Sequence, residues 1–297
     1  MNNFKLLTLE DKTLIDYYTD NNKISSYSYR FSSLYLWRNL CTPYYCIVND
    51  SLIILKQEPD IGWYFMMPLN YNINNLENTI STLKNFSLSI PSCNFLLGDI
   101  ENFFIDDLKH YTTFNLNINS YSNDFEYIYK TSNLINLPGD NYHKKKNHYN
   151  SFIKNYNVSA IDIPSDKVIK DCMKLLKKWC LKKLVLTPEL QCEKAAIEDA
   201  LLNINYLKLK FIALYCENEL IGFSLGERVG DTAIIHTERC DSNFKGVYAY
   251  INKTFLEKNF SKTIWVNRQE DCGNIGLRQS KTSYYPSHMI EKSYIKI

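Results

Sequence analysis

Residues 267–278 form the densest polar segment of the sequence and read NRQEDCGNIGLR. The segment follows a short apolar run that predicts a strand, and it leads into a predicted helix. Open sheets bind ligands just beyond strand ends, and a helix N-terminus presents backbone N–H groups to an anion. Helix capping explains one acid but not an arginine, two acids and two glycines together. The segment predicts a ligand-binding loop with six candidate residues: Asn267, Arg268, Glu270, Asp271, Gly276 and Arg278.

A second polar cluster, residues 236–241, closes another predicted strand. Side chains alternate along a strand, so His236 and Glu238 should share one face while Asp241 lies on the other. A carboxylate beside an imidazole can serve as a general base. A half-buried histidine that hydrogen-bonds to its neighbour is an equally good interpretation of this pattern.

Three consecutive lysines, Lys144, Lys145 and Lys146, open a predicted helix at residues 143–156. The helix macrodipole puts partial positive charge at that end, so lysines there indicate either a bound anion or a solvated face. Lys245 and Gly246 precede another predicted helix, where a turn can cradle a phosphate, although one glycine is equally typical of an ordinary turn. The candidate donor-binding residues are Tyr142, His143, Lys144, Lys145, Lys146, Lys245, Gly246 and Arg278.

The length of 297 residues, with 45% apolar and 22% charged residues, is typical of a globular protein of two modest domains. This composition excludes a disordered, collagen-like or disulfide-stapled chain. Residues 1–125 carry a net charge of −5 and residues 126–297 a net charge of +7. The basic half indicates a polyanionic partner or, alternatively, two domains that attract each other.

The N-terminus lacks the basic and apolar regions of a signal peptide, and no apolar run approaches the roughly 18 residues of a membrane span. We therefore expect a cytoplasmic protein. Its nine cysteines are scattered and contain no CxxC pair, which predicts reduced, buried thiols and no metal site.

The order of predicted elements is clearest in the second half of the chain. Helices at 166–183 and 188–203 precede three strands at 211–216, 220–227 and 232–240. A helix at 247–258, a strand at 263–267, a helix at 275–283 and a last strand at 289–295 follow. This order matches the GNAT acyltransferase fold, an α/β (α+β) architecture whose mixed, mostly antiparallel sheet is flanked by helices. The first half follows a looser version of that order. We expect a degenerate GNAT-like domain at residues 1–123 and a GNAT-like acyltransferase domain at 124–297.

Six segments together resemble one known family. They are FSSLYLWRN (31–39), LINLPGDNYHKKKNHYNSFIKNY (134–156), IGFSLGER (221–228), AIIHTERCD (233–241), KGVYAYIN (245–252) and VNRQEDCGNIGLRQSKTSYYP (266–286). On these segments the chain resembles the phosphatidylglycerol lysyltransferase C-terminal-like domain family, a tandem-GNAT family formerly classed as a domain of unknown function. The resemblance implies an active groove in the second domain.

Relatives with a known activity transfer an aminoacyl group from aminoacyl-tRNA to an amine or hydroxyl acceptor, such as a lipid headgroup. The resemblance therefore implies a transferase with no tightly bound cofactor, whose donor is aminoacyl-tRNA or acyl-CoA. This chain lacks the multi-span flippase region of the lipid synthases, so a small amine or a peptide is as good an acceptor. It also lacks the Q/R-x-x-G-x-G/A loop of enzymes that use acetyl-CoA.

The resulting mechanistic hypothesis is acyl transfer. An acid among Glu238, Asp241 and Glu270, with His236 nearby, would deprotonate or orient the acceptor. Arg268 would stabilise the oxyanion, and the lysines and Arg278 would bind donor phosphates. The other residues expected in the groove are Glu227, Asn267, Asp271, Gly276, Lys281 and Tyr284.

Two other functions fit the same fold: an acyl-CoA-dependent N-acetyltransferase and a non-catalytic ligand-binding module. Loss of the groove acids would favour the binding module, and those acids are present. We expect a monomer or homodimer, with tRNA as a possible partner.

Overall fold

The computed structural model describes residues 4–20, 23–182 and 187–297. The chain divides into two compact units, one of Met1–Phe125 with Ile290–Ile297 and one of Glu126–Met289. Each unit contains one seven-stranded mixed sheet.

In the first unit, one short strand and three helices precede a meander of antiparallel strands, which is followed by a helix and a parallel strand. Its elements are β1 (Lys5–Leu6), α1 (Lys12–Asp20), α2 (Phe31–Leu36), α3 (Arg38–Cys41), β2 (Tyr44–Val48), β3 (Ser51–Glu58), β4 (Gly62–Phe65), α4 (Leu76–Ser87), β5 (Leu97–Ile100), α5 (Asn102–Tyr111) and β6 (Asn117–Ser120). Strands β4 and β5 pair in parallel.

The second unit repeats this order on a larger scale. Its elements are β7 (Glu126–Lys130), α6 (Thr131–Asn136), α7 (His143–Asn155), β8 (Val158–Ile161), α8 (Asp166–Leu181), α9 (Pro188–Leu202), β9 (Lys210–Cys216), β10 (Glu219–Val229), β11 (Thr232–Cys240), α10 (Val247–Asn259), β12 (Trp265–Asn267), α11 (Ile275–Thr282) and β13 (His288–Ile290). The strand order is β13-β7-β12-β11-β10-β9-β8. The predicted helix over 166–183 ends at Leu181, and Lys183 lies outside the described residues.

The end of the chain departs from the prediction of a last strand at 289–295 in the second domain. Two short strands replace it, β13 and β14 (Ser293–Lys296). Strand β14 pairs with β5 and β6, so the first sheet has the order β1-β2-β3-β4-β5-β14-β6. The division after Phe125 lies two residues from the predicted boundary, but the last eight residues belong to the first unit. A strand pattern specifies that a segment pairs without specifying which sheet it joins.

The core of the second unit packs helix α10 against the sheet and against α7. Val247, Ile251, Phe255 and Leu256 of this helix are all buried. The helix thus brings its first turn to a defined place beside the carboxyl end of β11.

A β-bulge shapes the middle of β11. Leu225 of β10 pairs with Thr237 and the next residue, Gly226, pairs with Ile235, which leaves His236 as the extra residue. A side chain at Gly226 would collide there, because its Cβ would lie 2.6 Å from the carbonyl oxygen of Ile234. The bulge therefore changes the direction of the side chains just before the strand ends.

Strands β11 and β12 pair in parallel over only three residues, and the last pair is Ile234 with Asn267. The polar residues that follow on each strand lie beyond this short ladder. The two polar clusters of the sequence therefore meet at one place. Of the helices in the described ranges, none combines the length and the apolar character needed to cross a membrane.

The assignment of β14 to the first unit leads to a stability prediction for Tyr294. This side chain is buried and packs against the rings of Tyr64, Phe95 and Tyr121 at 5.4, 5.4 and 5.7 Å. Tyr294→Ala should lower the free energy of unfolding by roughly 3–5 kcal/mol, because it leaves a large cavity. Hydrogen exchange should show faster opening of the β5 amides, whereas a loss below about 1 kcal/mol would contradict the packing described.

Candidate functional site

A buried ion pair connects the two polar clusters where β11 and β12 separate. Nη2 of Arg268 lies 2.5 Å from Oε2 of Glu238, and both side chains are nearly nine-tenths buried. The Nδ2 amide of Asn252, on α10, donates to the other oxygen of Glu238 at 3.3 Å. Burial alone would lower the pKa of Arg268, but the charge of Glu238 prevails and raises it. The guanidinium is therefore a permanent positive charge inside the protein.

The same guanidinium lies over two aromatic rings, 5.1 Å from the centroid of Tyr284 and 6.0 Å from that of Tyr129. Such contacts stabilise a desolvated cation. The second terminal nitrogen, Nη1, is buried and makes no hydrogen bond within the part of the chain that the structure describes. A buried donor without a partner is costly, so its presence indicates a place for a ligand acceptor.

A cavity of about 240 Å³ adjoins Arg268, and we call it the donor cavity. Its lining residues come from α7, the loop before α10, the start of α10, the segment after β12, and α11 with the residues just after it. They are Lys145, His148, Ser242, Phe244, Lys245, Gly246, Val247, Tyr248, Ala249, Arg268, Ser280 and Tyr284. None of these described residues is acidic. The cavity combines positive side chains with the N-terminus of α10, which attracts anions.

Lys145 is the lysine of the basic run that reaches the donor cavity. Its ammonium lies 4.1 Å from the centroid of the Tyr284 ring. Burial and the neighbouring charge of Arg268 lower the pKa of Lys145 to about 8. A bound anion would relieve both effects.

Gly246 caps α10 in a left-handed conformation with φ of 93°. A Cβ at this position would lie 2.4 Å from the carbonyl oxygen of His148 on α7. Glycine is therefore required for α7 and the start of α10 to approach closely enough to enclose the cavity.

A second hydrogen-bonded bridge connects β11 with the segment after β12, beyond the place where the two strands separate. Nε2 of His236 lies 2.9 Å from Oε1 of Glu227, and Nδ1 lies 3.2 Å from the amide nitrogen of Gln269. Both ring nitrogens are therefore engaged when the proton is on Nε2. This arrangement makes His236 a positioning group that connects the bulge of β11 to the segment after β12.

The loop that carries Arg268 is held by its own charged residues. Arg278 forms two hydrogen bonds of 2.8 Å with Asp271, which also accepts bonds from the hydroxyl of Tyr127 and the amide of Gly273. The bonds from Arg278 contribute most to lowering the pKa of Asp271 to about 2. Lys281 is the other support of this loop. Its ammonium donates to the backbone carbonyls of Arg268 and Gln269 at 2.6 and 3.1 Å and to that of Glu270.

Asp241 belongs to a second cavity of about 190 Å³, which we call the lysine cavity. It is lined by Leu175, Lys178, Trp179, Lys182, Cys240, Asp241, Ser242 and Tyr248. The buried carboxylate of Asp241 lies 2.8 Å from the ammonium of Lys178 and 3.0 Å from that of Lys182. Burial would raise its pKa, but hydrogen bonds from the two lysines and the Asn243 amide lower it to about 2. Asp241 is thus an anion committed to two cations.

The family model for the C-terminal region of phosphatidylglycerol lysyltransferase matches residues 21–296. The chain belongs to this family. Membership of this family indicates an acyltransferase.

Three individual proteins show how far the similarity extends. A Bacteroides thetaiotaomicron protein of unknown function is 26% identical, with a TM-score of 0.89 and 98% of each chain covered. FemX shares the fold, with a TM-score of 0.64 and 10% identity over 99% of this chain and 97% of FemX. An uncharacterized Mycoplasmoides gallisepticum protein is 29% identical over 178 residues, which cover 58% of this chain and 56% of that relative. The match thus spans little more than half of the curated relative's length. The predicted tandem GNAT-like fold is confirmed.

In this member of the lysyltransferase family, some of the predicted site residues lie together around the donor cavity. Glu238 does not line the cavity but forms an ion pair with Arg268, which does. The predicted residues that line the cavity are Lys145, Lys245, Gly246, Arg268 and Tyr284.

Other predicted residues have different places in the structure. Lys144, Lys146 and His143 are exposed on α7, and Gly276 is exposed on α11. Tyr142 is buried and donates to the carbonyl oxygen of Tyr284 at 2.8 Å. Four further predicted residues, Asn267, Asp271, Arg278 and Lys281, make the hydrogen bonds that hold the loop.

Three more predictions receive a structural position without a test of their role. Glu270 is half-buried and lines neither of the two cavities described. Glu227 and His236 form their own hydrogen-bonded pair.

The sequence pattern does not reveal the contacts of Lys178 and Lys182. An amphipathic helix predicts a solvated polar face, yet Lys178 on α8 and Lys182 just after it both contact Asp241. Asn252 offered a clearer signal, because a polar residue on the apolar face of a predicted helix usually has a buried partner.

Replacing Glu238 should expose the cost of the buried guanidinium. Glu238→Gln removes the counter-charge of Arg268 and should lower the free energy of unfolding by about 3 kcal/mol. The matched control is Glu219→Gln, at an exposed ion pair of 3.4 Å, which should change it by less than about 1 kcal/mol. Equal effects in denaturant titrations would show that the Glu238–Arg268 pair is not desolvated.

Proposed function

We propose that this protein transfers an aminoacyl group from aminoacyl-tRNA to an amine or hydroxyl acceptor. The observation that carries the proposal is the buried guanidinium of Arg268, whose Nη1 makes no hydrogen bond within the described residues and which lines a wholly non-acidic cavity. A donor phosphate or a developing oxyanion would supply the missing acceptor.

The donor cavity suits a phosphate group because its charge is already assembled. Lys145, Lys245 and Arg268 line it, and the positive end of the α10 dipole borders it. A phosphate that binds there meets donors that are positioned before it arrives, which lowers the entropy cost of binding.

The exposed lysines of α7 favour a nucleic-acid donor over a compact one. The helix, residues 143–155, contains four lysines and no acid. Lys144, Lys146 and Lys154 are exposed and form no ion pair with any residue that the structure describes. Lys144 and Lys146 flank Lys145 in the chain, and exposed cations next to a phosphate pocket fit a polyphosphate backbone. The loop before α10 holds only one glycine, Gly246, which supports an acyl-CoA donor less well.

The chemical step replaces the ester bond of the donor by a new amide or ester bond. The acceptor nitrogen or oxygen attacks the carbonyl carbon, Arg268 stabilises the oxyanion, and the ribose oxygen departs with the proton that the acceptor loses. Of the three acids predicted to orient the acceptor, Glu238 is paired with Arg268 and Asp241 with two lysines. We assign that role to Glu270, a half-buried acid two residues after Arg268 in the same loop. The acceptor is a small amine, a peptide or a lipid headgroup.

A label-transfer assay tests the proposal. Aminoacyl-tRNAs labelled on the amino acid are incubated with the protein and cell extract, and a parallel series uses labelled acyl-CoA. We expect label to leave the tRNA for an acceptor. Arg268→Gln should slow transfer about 100-fold, which is the typical effect of losing one oxyanion donor. Lys145→Met should also slow transfer, whereas Lys258→Met, at an exposed lysine in the last turn of α10, should leave it within about three-fold.

Two outcomes would contradict the proposal. Transfer from acyl-CoA with label stable on every tRNA would establish the other donor class. Label stable in both series, with retained binding, would favour a non-catalytic binding module.

A further inference from the structure

We infer that the lysine cavity is an anchoring site for an anionic group of the acceptor. The inference rests on the proposed function, because it assigns the second substrate of the same reaction. It concerns Lys178 of α8 and Lys182, the residue that follows this helix, which both contact the carboxylate of Asp241 in the cavity lining.

The contacts of Asp241 show how the lysines are arranged. Each ammonium contacts a different carboxylate oxygen, Lys178 at Oδ2 and Lys182 at Oδ1, so one buried anion fixes two cations side by side. The amide of Asn243 also donates to the carboxylate, at 3.1 Å. The two lysine side chains are nevertheless about half exposed, 49% and 45%. The buried carboxylate therefore fixes the two ammonium groups, while their side chains stay accessible from the cavity.

The charge and donor balance of this corner leaves room for an anion. Lys178, Lys182 and the buried Asp241 carry a net charge of +1. Glu219, the other partner of Lys178 at 3.4 Å, brings the formal sum to zero, but its side chain is 63% exposed and solvent screens its charge. An ammonium has three N–H donors, and Lys182 uses one of them on Asp241. The remaining donors can bind a phosphate or carboxylate without further desolvation of a bare charge.

Leu175, Trp179 and Tyr248 supply apolar surface to the cavity lining. The guanidinium of Arg239, which is outside the lining, lies 4.5 Å from the centroid of the Trp179 ring. Glu193 of α9 pairs with Arg239. A ligand with one anionic group and a short organic portion fits this combination of a cationic corner and an apolar surface.

The position of the lysine cavity connects it with the donor cavity. Ser242 and Tyr248 line both cavities, so the two adjoin at these residues. An acceptor anchored by its anion among the lysines can extend its nucleophile toward the donor cavity. This division places the two substrates of a transfer reaction on either side of Tyr248.

Site-resolved lysine labelling tests the inference without requiring the acceptor. The protein is reductively methylated with formaldehyde, with and without inorganic phosphate or acetate at matched ionic strength, and each lysine is followed by peptide mass spectrometry. Lys178 and Lys182 should react about five-fold more slowly when phosphate or acetate is about four times its dissociation constant. Lys177, which is exposed on the same helix, is the internal control and should not change. Stronger protection by phosphate or by acetate identifies the preferred anionic group.

Two variants sharpen the result. Lys182→Met should abolish the protection of Lys178, whereas Lys177→Met should preserve it. Equal protection of Lys177, absence of protection by both anions, or unchanged protection of Lys178 in Lys182→Met would each overturn the inference. Arg268→Gln should retain the protection, so failure of label transfer from tRNA and failure of this anion site are separate outcomes.

Discussion

The buried guanidinium of Arg268 is the constraint on which the rest of the site depends. A cation at this depth requires a counter-charge, and Glu238 supplies it from the strand that has just separated from β12. It also requires a rigid backbone, and Lys281 provides this by donating to three consecutive carbonyls of the loop. The Asp271–Arg278 pair then closes the loop onto α11. Together these charged groups fix the position of the Arg268 guanidinium, whose Nη1 makes no hydrogen bond with a described residue.

The same arrangement separates two chemical tasks. The donor cavity has cations without acids among its described lining residues, which suits the phosphates and the oxyanion of an acyl donor. The lysine cavity has cations that are partly neutralised by Asp241, which suits a singly charged group on the acceptor. Tyr248 borders both, so a short acceptor can span the distance between anchoring and reaction. Cations of the second unit thus line two separate cavities, Lys145, Lys245 and Arg268 in one and Lys178 and Lys182 in the other.

Sequence patterns predicted which segments come together better than which side chains line the cavities. Position after a strand end located Arg268, and the loop before a helix located Gly246, because both follow from the geometry of an open sheet. The choice among three adjacent lysines depended on how α7 packs against α10, which periodicity does not reveal. Asp241, the buried partner of Lys178, lies 63 residues away in the chain and cannot be read from a helical pattern. For the same reason the sheet joined by β14 was mispredicted, since pairing is decided by tertiary packing.

The most direct measurement is the salt dependence of binding for an aminoacylated RNA minihelix at pH 7, where Lys145, with its pKa of about 8, is mainly charged. Each phosphate contact adds roughly 0.7–0.9 to the slope of log K against log salt concentration. We expect Lys145→Met to reduce the magnitude of this slope by roughly 0.7–0.9 and to weaken binding. Identical slopes and affinities for the wild-type protein and Lys145→Met would contradict a donor phosphate in the cavity beside Arg268.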